Sequence, residues 1–114
     1  MNRKYLPTFA ELIDRMTICQ LKAIFIPKNK EAYDKEIEDI KHDLGQIIEE
    51  KNIKLTPELL RATALVMLTN RYIWENESKC RKGDSQDLEL LKLTHSINGV
   101  RNTAKNTISK ELGE

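Results

Sequence analysis

The chain is 114 residues long, enough for one ordinary domain and short for two, and its 39% hydrophobic and 32% charged residues suit a globular fold with a modest core rather than a disordered segment. Its 19 Lys and Arg nearly cancel its 18 Asp and Glu, which leaves a net charge of +1. Division at residues 26, 54 and 85 gives segment charges of +2, −2, +1 and 0, so the chain has no basic arm or broad positive field of the kind that binds nucleic acid without sequence preference.

Residues 1–114 read as a single helical domain. Thr8 followed by Glu11 is a capping box that starts a first helix. Pro27 closes it, because the residue before a proline is pushed out of the helical region. Within this helix Phe9, Leu12, Met16, Cys19 and Ala23 form one apolar stripe, while Ile18, Leu21 and Phe25 form a second on the far side. A helix with two apolar faces needs two neighbours, and in so small a domain one of them is expected to be a second subunit. A second helix runs from about Lys30 to Lys51, with Tyr33, Ile37, Ile40, Leu44 and Ile47 spaced alternately by four and three, the seam of antiparallel bundle packing. Thr56 and Pro57 are a cap and a first-turn proline. They open a third helix whose run Leu59, Leu60, Ala62, Ala64, Leu65, Val66, Met67 and Leu68 is predicted to be central. The segment from Lys79 to Gly83 ends it, and Asp84 or Ser85 caps a fourth helix that extends to about Leu112 along a stripe of Leu90, Leu93, Ile97, Val100, Ala104, Ile108 and Leu112. No stretch alternates like a strand and none repeats. The pattern predicts an all-α fold, an antiparallel up-down-up-down four-helix bundle, assembled as an oligomer.

Arg101 falls roughly 40° from the middle of the last stripe, with Thr94, Asn98 and Lys105 along its shoulder. A guanidinium and an amide at the apolar edge of a helix are costly to bury unless paired. A carboxylate of the chain or a ligand is therefore expected opposite them. The third helix offers the counterpart, since Asn70, Trp74 and Glu77 lie at i, i+4 and i+7 on a face contiguous with Val66 and Met67. Packed antiparallel, these polar ends approach Thr94, His95, Asn98 and Arg101. One reading is an internal network in which Arg101 pairs with Glu77 or Glu75 while Asn98 and Asn70 tie the helices. The other is a pocket in which Arg71, Arg101 or Lys105 holds an anionic group and Trp74 or Tyr72 stacks on a planar ring. The candidate binding set is Asn70, Arg71, Trp74, Glu77, Thr94, His95, Asn98, Arg101 and Lys105.

Other chemistry has less behind it. Glu36, Asp39 and Asp43 resemble the carboxylate spacing of magnesium-dependent helical nucleotide pyrophosphohydrolases, but such sites need several acids converging from two helices. Here only Glu75 with Glu77 could supply the second set, and a solvated charged face accounts for the spacing. His42 and His95 lack i+4 partners of ligand type, so no metal site is expected. No serine or cysteine sits in an elbow motif, and no catalytic residue or cofactor is assigned. Lys79, Arg81 and Lys82 form a short basic loop of the kind usually solvated. Cys19 and Cys80 read as free thiols of a reducing compartment. The start of the chain lacks the apolar run of a signal peptide and no window approaches ~20 apolar residues, so a cytoplasmic protein with no membrane partner is expected.

Three segments together, residues 7–22, Asn70-Arg71-Tyr72-Ile73-Trp74-Glu75-Asn76-Glu77, and Leu93-Thr94-His95-Ser96-Ile97-Asn98-Gly99-Val100-Arg101-Asn102, resemble a small helical domain-of-unknown-function family found in bacteria and phage genomes. The second helix matches only in pattern. The resemblance implies a phage context in which a small protein sequesters a nucleotide signal and so evades host defence. The expected function is non-enzymatic binding of an anionic, nucleotide-like molecule by a homo-oligomer associated through its first helix. The competing expectations are divalent-metal nucleotide pyrophosphate hydrolysis through Glu36, Asp39, Glu75 and Glu77, and a helical protein-interaction module.

Overall fold

The computed structural model describes residues 6–79 and 88–114. It is all-helical, with α1 at Phe9–Phe25, a 3-10 turn at Pro27–Asn29, α2 at Lys30–Lys51, α3 at Pro57–Lys79 and α4 at Leu88–Glu111. The caps follow the sequence. Thr8 Oγ1 accepts from the Glu11 amide at 3.2 Å and donates to the Glu11 carboxylate, and Thr56 Oγ1 accepts from the Leu59 amide at 3.1 Å. Asn52 ends α2 in the left-handed region at φ 50°, and the Ile53 amide then reaches back to the Ile48 carbonyl at 3.0 Å, which satisfies a carbonyl the helix end would leave open. The basic loop and helix cap expected at Arg81, Lys82, Asp84 and Ser85 lie outside the described residues, as does Cys80.

Helix α1 is the hub. It packs on α2, on α3 and on α4, whereas the backbone of α2, among the described residues, comes close only to α1 and the 3-10 turn, and α2 reaches the others through the side chains of the shared core. Pairings of Cys19 with Glu36 and of Lys22 with Tyr33 run α2 antiparallel to α1, and α3 and α4 form the other closely packed pair. The core takes Phe9, Leu12, Ile13 and Cys19 from α1, Ile40, Leu44 and Ile47 from α2, Leu59, Ala62 and Val66 from α3, and Ala104 and Ile108 from α4.

Three expectations are corrected by this packing. The second apolar face of α1 is open only in part: Leu21 is buried and Ile18 is half-buried, whereas Phe25 is 45% exposed, with the Arg71 guanidinium 4.4 Å from its ring centroid. The run of the third helix is central on one side only: Leu59, Ala62 and Val66 are in the core, whereas Leu60, Met67 and Leu68 on its outer side are exposed. The stripe of α4 is also turned from the predicted one. Leu93 and Val100 face outward, and Arg101 sits half-buried beside the fully buried Ala104 and Ile108. Among the described residues no helix is long and apolar enough to cross a membrane.

Ile108, with no exposed surface, sets a simple check of this core. Ile108→Ala should lower stability by ~2–5 kcal/mol in a denaturant titration, whereas Leu68→Ala on the exposed side should change it by under ~0.5 kcal/mol. Equal losses at the two positions would contradict the assignment of faces.

Candidate functional site

The residues that draw attention in α3 and α4 meet a partner that comes from α1. Asp14 falls at i, i+4, i+7 and i+11 with Ile18, Leu21 and Phe25, so the second stripe of α1 carries a carboxylate toward the α3–α4 pair. Asn70 Nδ2 donates to Asp14 Oδ1 at 2.6 Å, and Arg101 Nη1 donates to Asn70 Oδ1 at 3.0 Å. Lys105 Nζ lies 3.3 Å from Asp14 Oδ2. The Asp14 and Lys105 side chains are only 16% and 25% exposed, which puts this pair in a setting where losing one partner is felt, unlike a surface ion pair. Three helices are thus tied through one amide.

The network is incomplete. Arg101 Nε and Asn76 Nδ2 are buried and have no hydrogen-bond partner among the described residues. Asn76 is 4% exposed and continues the row Ala62, Leu65 and Thr69, the side of α3 that turns to α4. Thr69 solves the same problem locally, since its hydroxyl donates to the Leu65 carbonyl at 2.7 Å. The Asn76 amide nitrogen and the Arg101 Nε are donors only, and among the described residues no acceptor lies within hydrogen-bond reach of either.

The anticipated set therefore divides. Asn70, Arg101 and Lys105 are joined in the network. Arg101 does not meet a carboxylate of α3 as expected; it bonds an amide of α3, and the carboxylate stands one residue further on, in α1. Glu75 is instead engaged by Arg71 at 2.8 Å within the same helix, and Arg71 lies over Phe25, so this guanidinium is committed on the outside of α3. Trp74, Thr94 and Asn98 are half-buried, whereas Glu77 and His95 are exposed. Asp14 and Asn76 escape the sequence reading. The signal for Asp14 was present, a charge inside an apolar stripe, the same criterion that singles out Arg101.

Because α2 and α4 both flank α1 without packing on each other, a cleft opens between them. It has a volume of about 320 Å³ and is lined by Glu11, Asp14, Arg15, Ile18, Cys19, Lys22, Glu36 and Lys105. In it the buried Cys19 thiol donates to Glu36 Oε2 at 2.9 Å. Burial first, and then the hydrogen bond and negative charge of Glu36, push this thiol up to about 11, against a smaller opposite pull from Lys22 and Arg15. A separate recess of about 560 Å³ lies along α3 and α4 between Arg61, Leu65, Gly99 and Thr107, on the part of the seam remote in sequence from Trp74. Among the described residues no group of three or more His, Cys, Asp or Glu is placed to hold a metal ion, and Glu36 and Glu75 stand on helices that do not pack together.

No family model matches the chain, and no curated protein or solved structure matches it either.

Two measurements check this geometry. Asp14→Ala, which strands the Asn70 amide and the Lys105 ammonium, should lower stability by ~1–3 kcal/mol, and Arg101→Met, which gives up one bond but also removes the unpartnered Nε, by about 1 kcal/mol or less; a larger loss from Arg101→Met would reverse the ranking. For Cys19 the folded state holds the neutral thiol above its ordinary value of 9.0. The contribution is complete below that value and is lost as pH rises toward about 11. The decline in stability over that window should be shallower in Cys19→Ser.

Proposed function

We propose that this protein is a non-enzymatic binder of a small anionic, nucleotide-like molecule, held at the seam of α3 and α4. The observation that supports this most is the pair of buried, unpartnered donors, Arg101 Nε and Asn76 Nδ2. Buried donors are rarely left without an acceptor, and an unfilled one calls for a group brought from outside. Both lack acceptors rather than donors, which favours a ligand rich in oxygens such as a phosphate. Asn70, held by Asp14 and Arg101, fixes the guanidinium that would meet that phosphate. The half-buried Trp74 is the nearest aromatic of α3 in sequence for a planar base to stack on. Thr94 and Asn98 border the same stretch of α4, with His95 and Glu77 at its exposed rim.

In this reading binding is sequestration. The resemblance to a family of bacteria and phage genomes supports a phage-encoded, cytoplasmic role in evading a host defence that signals through nucleotides. The four helices are read as one antiparallel up-down-up-down bundle. A homo-oligomer belongs to the same proposal, with the apolar side chains left in water at Ile24 and Phe25 of α1 and at Leu60, Met67 and Leu68 of α3 as the surface a second copy would cover.

A thermal-shift screen of mono-, di- and cyclic nucleotides tests the ligand. A nucleotide at 100 times its dissociation constant should add ~2.7 kcal/mol of stability. Trp74→Ala should weaken that nucleotide by about tenfold or more, given ~1–3 kcal/mol for stacking on one base, and Arg101→Ala should abolish the shift. The absence of any shift, or a shift that survives both substitutions, would overturn the assignment. Sedimentation across a concentration series tests association, and a strict monomer at tens of micromolar would contradict it.

A further inference from the structure

The cleft beside α1 has a charge pattern that the seam does not explain. Its eight lining residues include three cations, Arg15, Lys22 and Lys105, and three carboxylates, Glu11, Asp14 and Glu36. Among the described residues one pair is closed, Lys105 with Asp14. Glu11 accepts from the Thr8 hydroxyl and Glu36 from the Cys19 thiol, so neither is paired with a cation by these bonds. Arg15 and Lys22 form no ion pair among the described residues. Two cations, of which Lys22 lies over the Tyr33 ring at 5.9 Å from its centroid, and two carboxylates thus border one concavity without an ion-pair partner among the described residues. They are in register, since Glu11, Arg15, Ile18 and Lys22 recur by four, three and four on one face of α1, and Glu36 enters from α2 beside Cys19, between the levels of Arg15 and Lys22.

We infer that this cleft binds a small zwitterion of the free amino acid class, its carboxylate on Arg15 or Lys22 and its ammonium on Glu36 or Glu11. A bare anion or cation would meet charges that cancel across the cleft, whereas a molecule with both signs uses each in turn. The guanidinium of Arg15 offers a fork suited to a carboxylate, and the carboxylate of Glu36 has acceptor capacity beyond the thiol. Ile18 and the Cys19 side chain supply an apolar wall for the ligand's own side chain. The volume of about 320 Å³ stands at the lower end of the range of ~300–1,000 Å³ for small-molecule sites. Asp14 and Lys105 line the cleft and also belong to the network of the seam, but Arg15, Lys22, Glu11 and Glu36, which meet the ligand's charges, do not, and the ligand class is different.

The test is a titration of the full chain with a panel of free L-amino acids, followed by amide chemical shifts along α1. An amino acid should bind at millimolar concentration or better. Its carboxamide and its N-acetyl derivative, each lacking one charge, should bind at least tenfold more weakly. Arg15→Gln and Glu36→Gln, both at exposed positions, should each cause a similar loss, while Arg101→Ala in the seam should cause none. Failure of every amino acid to shift α1 at ten millimolar, equal binding by both derivatives, or equal binding by inorganic phosphate would overturn the inference. None of these outcomes bears on the nucleotide screen, which reads Trp74 and Arg101.

Discussion

Helix α1 is apolar on two sides, and the fold takes the first side and the middle of the second out of water. One stripe, from Phe9 through Leu12 and Cys19 to Ala23, is buried with α2 and the shared core. Of the other, Leu21 is buried and Ile18 half-buried, on a helix that also packs on α3 and α4, while Phe25 at its end stays exposed. Burial at ~25 cal/mol per Å² of apolar surface rewards any arrangement that sandwiches this helix. That requirement sets α2 against α1, and one flank of α1, between α2 and α4, is left as a cleft.

Asp14 occupies the second of these stripes, and its burial has to be compensated where it stands. Asn70 and Lys105 do this, and Arg101 completes the line through the Asn70 carbonyl oxygen. Such a network adds little net stability compared with an apolar core, because desolvation offsets most of the attraction. What it does add is register. A slide of α3 or α4 by one residue would strand a carboxylate or a guanidinium. The same rigidity presents Arg101 Nε and Asn76 Nδ2 at fixed positions, unpartnered, a fixed orientation that a binding site requires.

Much of the fold could be read from local signals. Thr8, Pro27, Thr56 and Pro57 place helix ends because capping and proline sterics act within a few residues. Periodicity identified Ile40, Leu44 and Ile47 as buried in α2. What periodicity could not supply was which helix faces which stripe. Asn70 looked suited to α4 and met Asp14 of α1 first, because α1 wedges beside α3 and contributes the closer carboxylate. Val100 and Leu93 looked like core and are exposed, because α4 is covered on the side of Arg101. A charge in an apolar stripe is legible at Asp14 as at Arg101, and pairing the two would have found the network from sequence.

The central claim is that Asp14 and Asn70 act as one unit across α1 and α3. A double-mutant cycle on Asp14→Ala and Asn70→Ala, read by denaturant unfolding, measures this directly. Contact at 2.6 Å predicts that the double variant loses less than the sum of the singles, with a coupling of ~0.5–3 kcal/mol. Additive losses within ~0.5 kcal/mol, the behaviour of distant sites, would contradict the account.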